Sequence, residues 1–98
     1  MAVTIDENGD TLTIHVAGRF DFSIHREFLD AYTGVPKGER SFVVDLAHTE
    51  YLDSSAMGML LQLRGHASPN SVVELKNSSE GVREVLHIAN FDKLFAVA

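Results

Sequence analysis

The sequence predicts an α/β fold, in which a mixed, mostly parallel β-sheet begins with an N-terminal β-hairpin and is completed by three main helices and further strands. Two observations carry this prediction. The first twenty residues contain two strand patterns around a turn, and the rest of the chain alternates helical apolar patterns with short β-branched runs. Strands that alternate with helices form parallel crossovers. The predicted element order is ββαβαβαβ, in a single domain over residues 1–98.

The hairpin is predicted by its alternation and its turn. Residues 3–6 have the composition of a short strand, and residues 11–16 alternate apolar with polar side chains. Between them, the Asn8-Gly9 pair tolerates the positive φ of a tight reversal. Because the alternation has a period of two, the second strand is expected to bury one face only.

The first helix follows this hairpin. Asp21 or Ser23 can accept hydrogen bonds from the first-turn amides, and apolar residues recur on one helical face within residues 24–32. Gly34 is expected to close the helix in a left-handed conformation, and Pro36 prevents its continuation.

The middle of the chain predicts a strand, a helix and another strand. Residues 42–46 form a continuous apolar run, which is typical of a strand covered on both faces. Residues 47–52 lie between this strand and Asp53, where a helix-start signal precedes a broad apolar face over residues 57–67. A further short strand is expected at residues 72–75.

The last helix has the clearest periodicity in the chain. Asn77 is the expected N-cap, and Glu80 stands three residues later, as in a capping box. Apolar residues within 82–89 fall on one helical face. Residues 94–97 are expected to form the final strand.

Composition excludes several classes of function. The chain has 14 acidic and 8 basic side chains, a net charge of −6 and no Cys. A nucleic-acid partner is disfavoured because binding phosphates needs a basic surface. Without Cys there is no disulfide, thiolate metal site or cysteine nucleophile.

Residues 1–10 are polar and acidic, unlike a signal peptide, and no apolar run approaches the ~20 residues of a membrane span. A cytoplasmic location without direct membrane insertion is therefore expected.

Enzymatic and metal-site patterns are equally lacking. The five histidines are too far apart in sequence to form a helical metal motif. No Ser lies in a G-x-S-x-G nucleophile elbow, and the Gly-rich segment 34–38 does not match a phosphate-binding loop. The sequence predicts no catalytic residues, no metal and no cofactor.

One motif remains, at Asp53-Ser54-Ser55. An ordinary helix cap would look the same. The motif also follows a predicted central strand, and open α/β sheets expose their sites at the carboxyl ends of strands. A hydroxyl there is accessible, and helix N-terminal amides favour an anion on it.

At this motif the sequence resembles the STAS domain family, and within it the bacterial anti-sigma factor antagonists, which carry D-S-[ST]-G-[LM]-G after a buried strand. Ala56 departs from the usual Gly. The residues that match this motif are Asp53, Ser54, Ser55, Met57 and Gly58. The family's other segments are matched in order by residues 18–21, 42–46, 82–86 and 91–95.

The resemblance implies a STAS fold and a phosphorylation switch. Ser54 is the implied phosphoacceptor, and the implied partner-binding residues are Asp21, Asp53, Ser54, Ser55 and Met57. The implied partners are an anti-sigma factor with serine kinase activity and a PP2C-type phosphatase. Two alternatives stay open: an accessory STAS subunit of a membrane transport complex, and a STAS regulator of motility or biofilm formation acting on a non-kinase partner.

Overall fold

The computed structural model describes residues 2–98, which form five strands and three α-helices. Two single turns of 3-10 helix complete the secondary structure, at Phe22–Ile24 and Phe91–Lys93. In chain order the main elements are β1 (Val3–Asn8), β2 (Thr11–Phe20), α1 (His25–Thr33), β3 (Ser41–Leu52), α2 (Ser54–His66), β4 (Glu74–Lys76), α3 (Glu80–Ile88) and β5 (Ala96–Val97). This order confirms the predicted α/β fold.

The five strands form one mixed sheet in the order β1-β2-β3-β4-β5. The first pair is antiparallel and the other three are parallel. Each parallel crossover contains one helix and moves to the next strand in the same direction. Since such crossovers are right-handed, all three helices lie on the same face of the sheet. In the described part of the chain the other face carries no helix, and we call it the open face.

The one-sided cover corrects the prediction for β3, which was expected to be covered on both faces. Phe42, Val44 and Leu46 are buried against the helices, whereas Val43 and Asp45 on the open face are only partly buried. The apolar run at residues 42–44 is continuous because Val43, on the open face, is apolar as well. The run therefore does not indicate a second layer of helices.

Strand β3 is also longer than the predicted 42–46, because it continues through two irregularities to Leu52. Register shifts occur after His15 and after Gly18, and in both places β3 supplies the extra residue. The hydroxyl of Thr49, a buried residue, donates to the carbonyl oxygen of Val16 at 2.8 Å. This bond satisfies a backbone group in the stretch where the ladder is interrupted.

Four further boundaries differ from the predictions. Gly34 has a φ of −74° and does not adopt the left-handed conformation expected of it. In the hairpin, the reversal falls at Gly9 and Asp10, because Asn8 is still paired with Thr11. The predicted strands 72–75 and 94–97 are shorter, and they correspond to β4 and β5.

The cap of α3 is Ser79, and the prediction of Asn77 is wrong. The Ser79 hydroxyl accepts a hydrogen bond from the Val82 amide at 3.2 Å. Asn77 instead has a φ of 62°, and its side-chain amide donates to a carboxylate oxygen of Asp45 at 3.1 Å. Asn77 therefore ties the start of α3 to β3 across the end of β4.

One hydrophobic core lies between the sheet and the helices. Its aromatic members include Phe20, Phe28, Tyr32 and Phe42, whose rings contact one another in sequence with centroids 5.1 to 6.1 Å apart. Over residues 2–98, no helix combines the length and the apolar character needed to cross a bilayer.

Candidate functional site

The candidate site lies where β2 and β3 end side by side. Phe20 and Leu52, the last residues of these two strands, are paired in the parallel ladder. The residues that follow them, Asp21 and Asp53, therefore leave neighbouring strands at the same carboxyl end of the sheet. Each then begins a helical segment, the 3-10 turn before α1 in one case and α2 in the other.

Asp53 is the N-cap of α2. Its carboxylate accepts a hydrogen bond from the Ala56 amide at 3.1 Å, and the Asp53 backbone is extended. The helix-cap interpretation of the motif is thus correct for this residue. Ser54 is the first residue of the helix and is exposed, and the first turn of α2 contains no acidic side chain.

An open groove with a volume of about 300 Å³ lies beside Ser54. Phe22 lines this groove and is 66% exposed. The Phe22 ring stacks on the His25 ring, with centroids 4.8 Å apart and planes inclined by 12°. The residues that line the groove are Phe22, His25, Ser54, Ser55, Gly58, Met59 and Gln62.

Asp21 is held by local hydrogen bonds at the start of its 3-10 turn. Its carboxylate accepts from the hydroxyl and the backbone amide of Ser23 and from the Arg19 guanidinium, 3.3 Å away. The bonds from Ser23, above all that from its hydroxyl, lower the pKa of Asp21. The Arg19 guanidinium also lies over the Tyr51 ring, 4.1 Å from its centroid.

The structure brings only part of the predicted site together in the groove. Ser54 and Ser55 line it. Asp21 and Asp53 flank the two helical starts without lining the groove, and Met57 is half-buried and packs against the core. Whether these five residues contact a partner remains a prediction.

Ala56, the residue that departs from the family motif, is fully buried. Its methyl group therefore contacts the core and cannot obstruct a partner at the surface. The helical backbone at this position is one that Ala favours over Gly.

The five groove residues that the sequence did not predict as site residues are Phe22, His25, Gly58, Met59 and Gln62. One signal was present for Phe22, since it does not belong to the apolar stripe of the first helix and stands between polar residues. Single exposed apolar side chains are common on protein surfaces, so this signal does not identify a contact site by itself.

A separate polar cluster lies on the open face. His15 is placed between two carboxylates, with its Nε2 2.7 Å from Asp6 and its Nδ1 2.8 Å from Asp45. The hydrogen bonds to Asp6 and then to Asp45 raise the pKa of His15. Among residues 2–98, no group of three or more His, Asp or Glu side chains has the arrangement of a metal site.

Comparison with known proteins gives a family model and a curated relative. The family model described as "Mlab, STAS domain" matches residues 3–96. A STAS-domain containing protein of Pseudomonas aeruginosa (strain UCBPP-PA14) is 48% identical over 101 residues, covering 100% of both chains.

Three solved structures share the fold. The anti-sigma factor antagonist SpoIIAA in its unphosphorylated form is 18% identical, with a TM-score of 0.63 over 89% of this chain and 83% of that one. An anti-sigma factor antagonist from Mycobacterium paratuberculosis is 16% identical, with a TM-score of 0.75 over 97% and 82%. A protein from Thermotoga maritima is 17% identical, with a TM-score of 0.81 over 97% and 84%.

Proposed function

This chain belongs to the STAS domain family, and we propose that it is a regulatory binding protein of the anti-sigma factor antagonist type, switched by phosphorylation of Ser54. The unphosphorylated form binds an anti-sigma factor with serine kinase activity, or an equivalent protein partner. That kinase and a PP2C-type phosphatase set the state of Ser54. In this proposal the chain works in the cytoplasm and catalyses no reaction itself.

The observation that carries the proposal is the position of Ser54. Its side chain is exposed on the first turn of a capped helix, next to a groove with an exposed aromatic wall. A kinase can reach such a hydroxyl without unfolding the domain. A partner that covers Phe22 would also cover Ser54, since both line the same groove.

A phosphate on Ser54 is expected to leave the fold intact. It adds about −1.5 to −2 charges at pH 7. The helix N-terminus favours such an anion by about 0.3–1 kcal/mol. The neighbouring Asp53 opposes it, and at ~6 Å with an effective dielectric of about 20 one charge pair costs roughly 3 kcal/mol before solvent screening. Because Ser54 is exposed, water reduces this repulsion.

The same phosphate is expected to block the partner. At the interface, its charge and oxygens would need desolvation against a surface shaped for a small hydroxyl. A loss of ~3–4 kcal/mol weakens binding several hundred-fold. The switch therefore works by preventing binding and not by refolding the domain.

The first test is mass spectrometry of the protein purified from its native cells. The expected result is a phosphate on Ser54 in part of the population. A Ser54 that stays unmodified under all growth conditions contradicts the switch. Stable copurification of that unmodified form with a membrane complex would favour the accessory-subunit alternative.

The second test compares Ser54→Ala with Ser54→Asp as bait in a pull-down, followed by affinity measurements on the recovered partner. Ser54→Ala should bind like the wild type. Ser54→Asp, which adds one negative charge where a phosphate adds about −1.5 to −2, should bind more weakly by about tenfold or more with unchanged thermal unfolding. Ser79→Asp is the matched control, since it adds the same charge at the start of α3, where Asp also serves as a cap. If Ser54→Asp unfolds or binds as well as Ser54→Ala, the mechanism is wrong.

A further inference from the structure

The two edges of the sheet differ in how far they are exposed to another chain. Strand β5 forms one edge and has only two residues. Strand β1 forms the other edge and has six, VTIDEN, with no Pro, Lys or bulge. Natural proteins protect sheet edges with short strands, charged side chains (Lys above all), Pro or bulges. The β5 edge is protected by its short length, whereas the β1 edge has only the acidic side chains of Asp6 and Glu7, which disfavour another acidic strand but not a basic one.

The register shows which backbone groups of β1 point outward. The Ala17 amide donates to the Ala2 carbonyl oxygen at 2.9 Å, so this pair is hydrogen-bonded. In an antiparallel ladder such pairs alternate with pairs that are not hydrogen-bonded. The N–H and C=O groups of Val3, Ile5 and Glu7 therefore face away from β2.

The chain itself satisfies one of these outward donors, since the Val3 amide donates to the Glu27 carboxylate at 3.3 Å. For Ile5 and Glu7, no other group within residues 2–98 bonds to the outward N–H or C=O. Ile5 itself is 46% exposed, on the helix-bearing side of the edge. The edge thus combines free backbone groups with an apolar anchor.

A groove of about 270 Å³ runs between this edge and α1. Its floor is apolar and its charged walls are both acidic, from Glu27 and Asp30. Among residues 2–98, no basic side chain lines it. The lining residues are Val3, Thr4, Ile5, Glu27, Asp30 and Ala31.

We propose that β1 is a docking edge for an extended, basic segment of a protein partner, which joins the sheet as a sixth strand. Backbone hydrogen bonds to Ile5 and Glu7 provide the pairing. An apolar residue of the segment packs on Ile5, and its Lys or Arg side chains face Glu27 and Asp30. The proposal does not depend on Ser54, since the two grooves share no residue.

A second copy of this chain fits the edge poorly. Pairing β1 with another β1 would bring Asp6 and Glu7, together with Glu27 and Asp30 of α1, close to the same acidic set. Like charges across a strand pair are destabilising. Arg40, which lies next to this edge, does not supply the basic partner that a second copy would need. Its Nη1 is already 3.6 Å from Glu7 Oε1 of the same chain.

The test selects peptides from a displayed library of short random sequences on the full chain, and then measures their affinity for variants. The expected peptides alternate apolar with basic residues, and they shift the Ile5 and Glu7 amide resonances. Ile5→Pro removes an outward donor without removing a ladder bond and should weaken binding by about tenfold or more. Ile5→Val, the matched control that keeps the donor, should change binding by less than about threefold.

Two further variants separate the possible outcomes. Asp30→Asn should weaken the binding of the selected peptides and reduce its salt dependence. This result tests the proposal even if Ile5→Pro does not fold. Ser54→Asp should leave their binding unchanged, so failure here is distinct from failure of the phosphorylation switch. Selection of acidic peptides, or of none that depend on Ile5, overturns the proposal. A concentration-dependent dimer that Ile5→Pro abolishes also overturns it, because a second copy then occupies the edge.

Discussion

Between Thr11 and His15, strand β2 pairs with β3 one residue to one residue, whereas beyond His15 two extra residues on β3 shift the register. The regular half contributes fully buried apolar side chains to the core. The irregular half ends at Asp21 and Asp53, where both helical starts and the Ser54 groove are found. Bulges bend and twist a strand. The regular half therefore mainly stabilises the domain, and the irregular half sets where the site residues emerge.

The largest effect is expected in the regular half, from Phe42→Ala. This ring is buried among aromatic neighbours, and its loss should lower the free energy of unfolding by about 3–5 kcal/mol. Urea denaturation measures this change, with the milder Phe42→Leu available if the Ala variant does not fold. Val43→Ala on the open face should cost about 1 kcal/mol or less. Equal losses at both positions would contradict the one-sided core.

In the irregular half, Thr49→Val should lower the free energy of unfolding by about 1–3 kcal/mol. The variant keeps the shape of the side chain but leaves the buried Val16 carbonyl oxygen without the Thr49 hydroxyl. Thr49→Ser retains that donor and is the control. Amide chemical shifts at Leu52 and Ser54 should move in the Val variant more than in the Ser variant. Unchanged shifts would mean that this bond does not position the site.

Gly18→Ala tests the backbone at the second register shift. Gly18 has a φ of 80°, and a Cβ there would meet no atom within 4 Å. The cost is therefore conformational and should be about 1–2 kcal/mol. Gly58→Ala, in the interior of α2 with equally open space, should instead stabilise the protein by up to about 1 kcal/mol. Thermal unfolding of both variants checks the opposite signs.

The smallest effect is expected at the boundary between the two halves, where His15 bridges Asp6 and Asp45. Because its pKa is raised above the ordinary 6.5, the stability that it contributes is fully present below pH 6.5. This contribution is lost as the pH rises through the folded-state pKa. Its side chain is 34% exposed, so solvent weakens the effect.

The pH dependence is measured by urea denaturation at a series of pH values, with His15→Gln as the control. The variant should lose the decline in stability above pH 6.5. The pKa of Asp45 is lowered, since hydrogen bonds from Asn77, the Ala47 amide and His15 outweigh the effect of burial. Its contribution is lost only as the pH falls below the ordinary value of 3.8. A wild-type profile without a decline above pH 6.5 would contradict the His15 bridge.

The prediction of the fold depended on local patterns. Alternating and helical periodicities predicted the order of the elements. The Asp53 cap was predictable because its side chain and the Ala56 amide that it accepts from are only three residues apart. The error at the cap of α3 arose because a distant residue decided the outcome. Asn77 looks like a cap in sequence, but its side chain bonds to Asp45, 32 positions away, and Ser79 takes the capping role.

By itself, the sequence determined the α/β order, the acidic character of the surface and the Ser54 motif at a helix start, since each depends on composition or on neighbouring residues. Only the tertiary structure decided that the helices cover one face, that β3 reaches Leu52 and that Phe22 stands exposed beside Ser54. Those features depend on the pairing of β2 with β3 and on the direction of each crossover. Such contacts join residues far apart in the chain, and local periodicity carries no information about them.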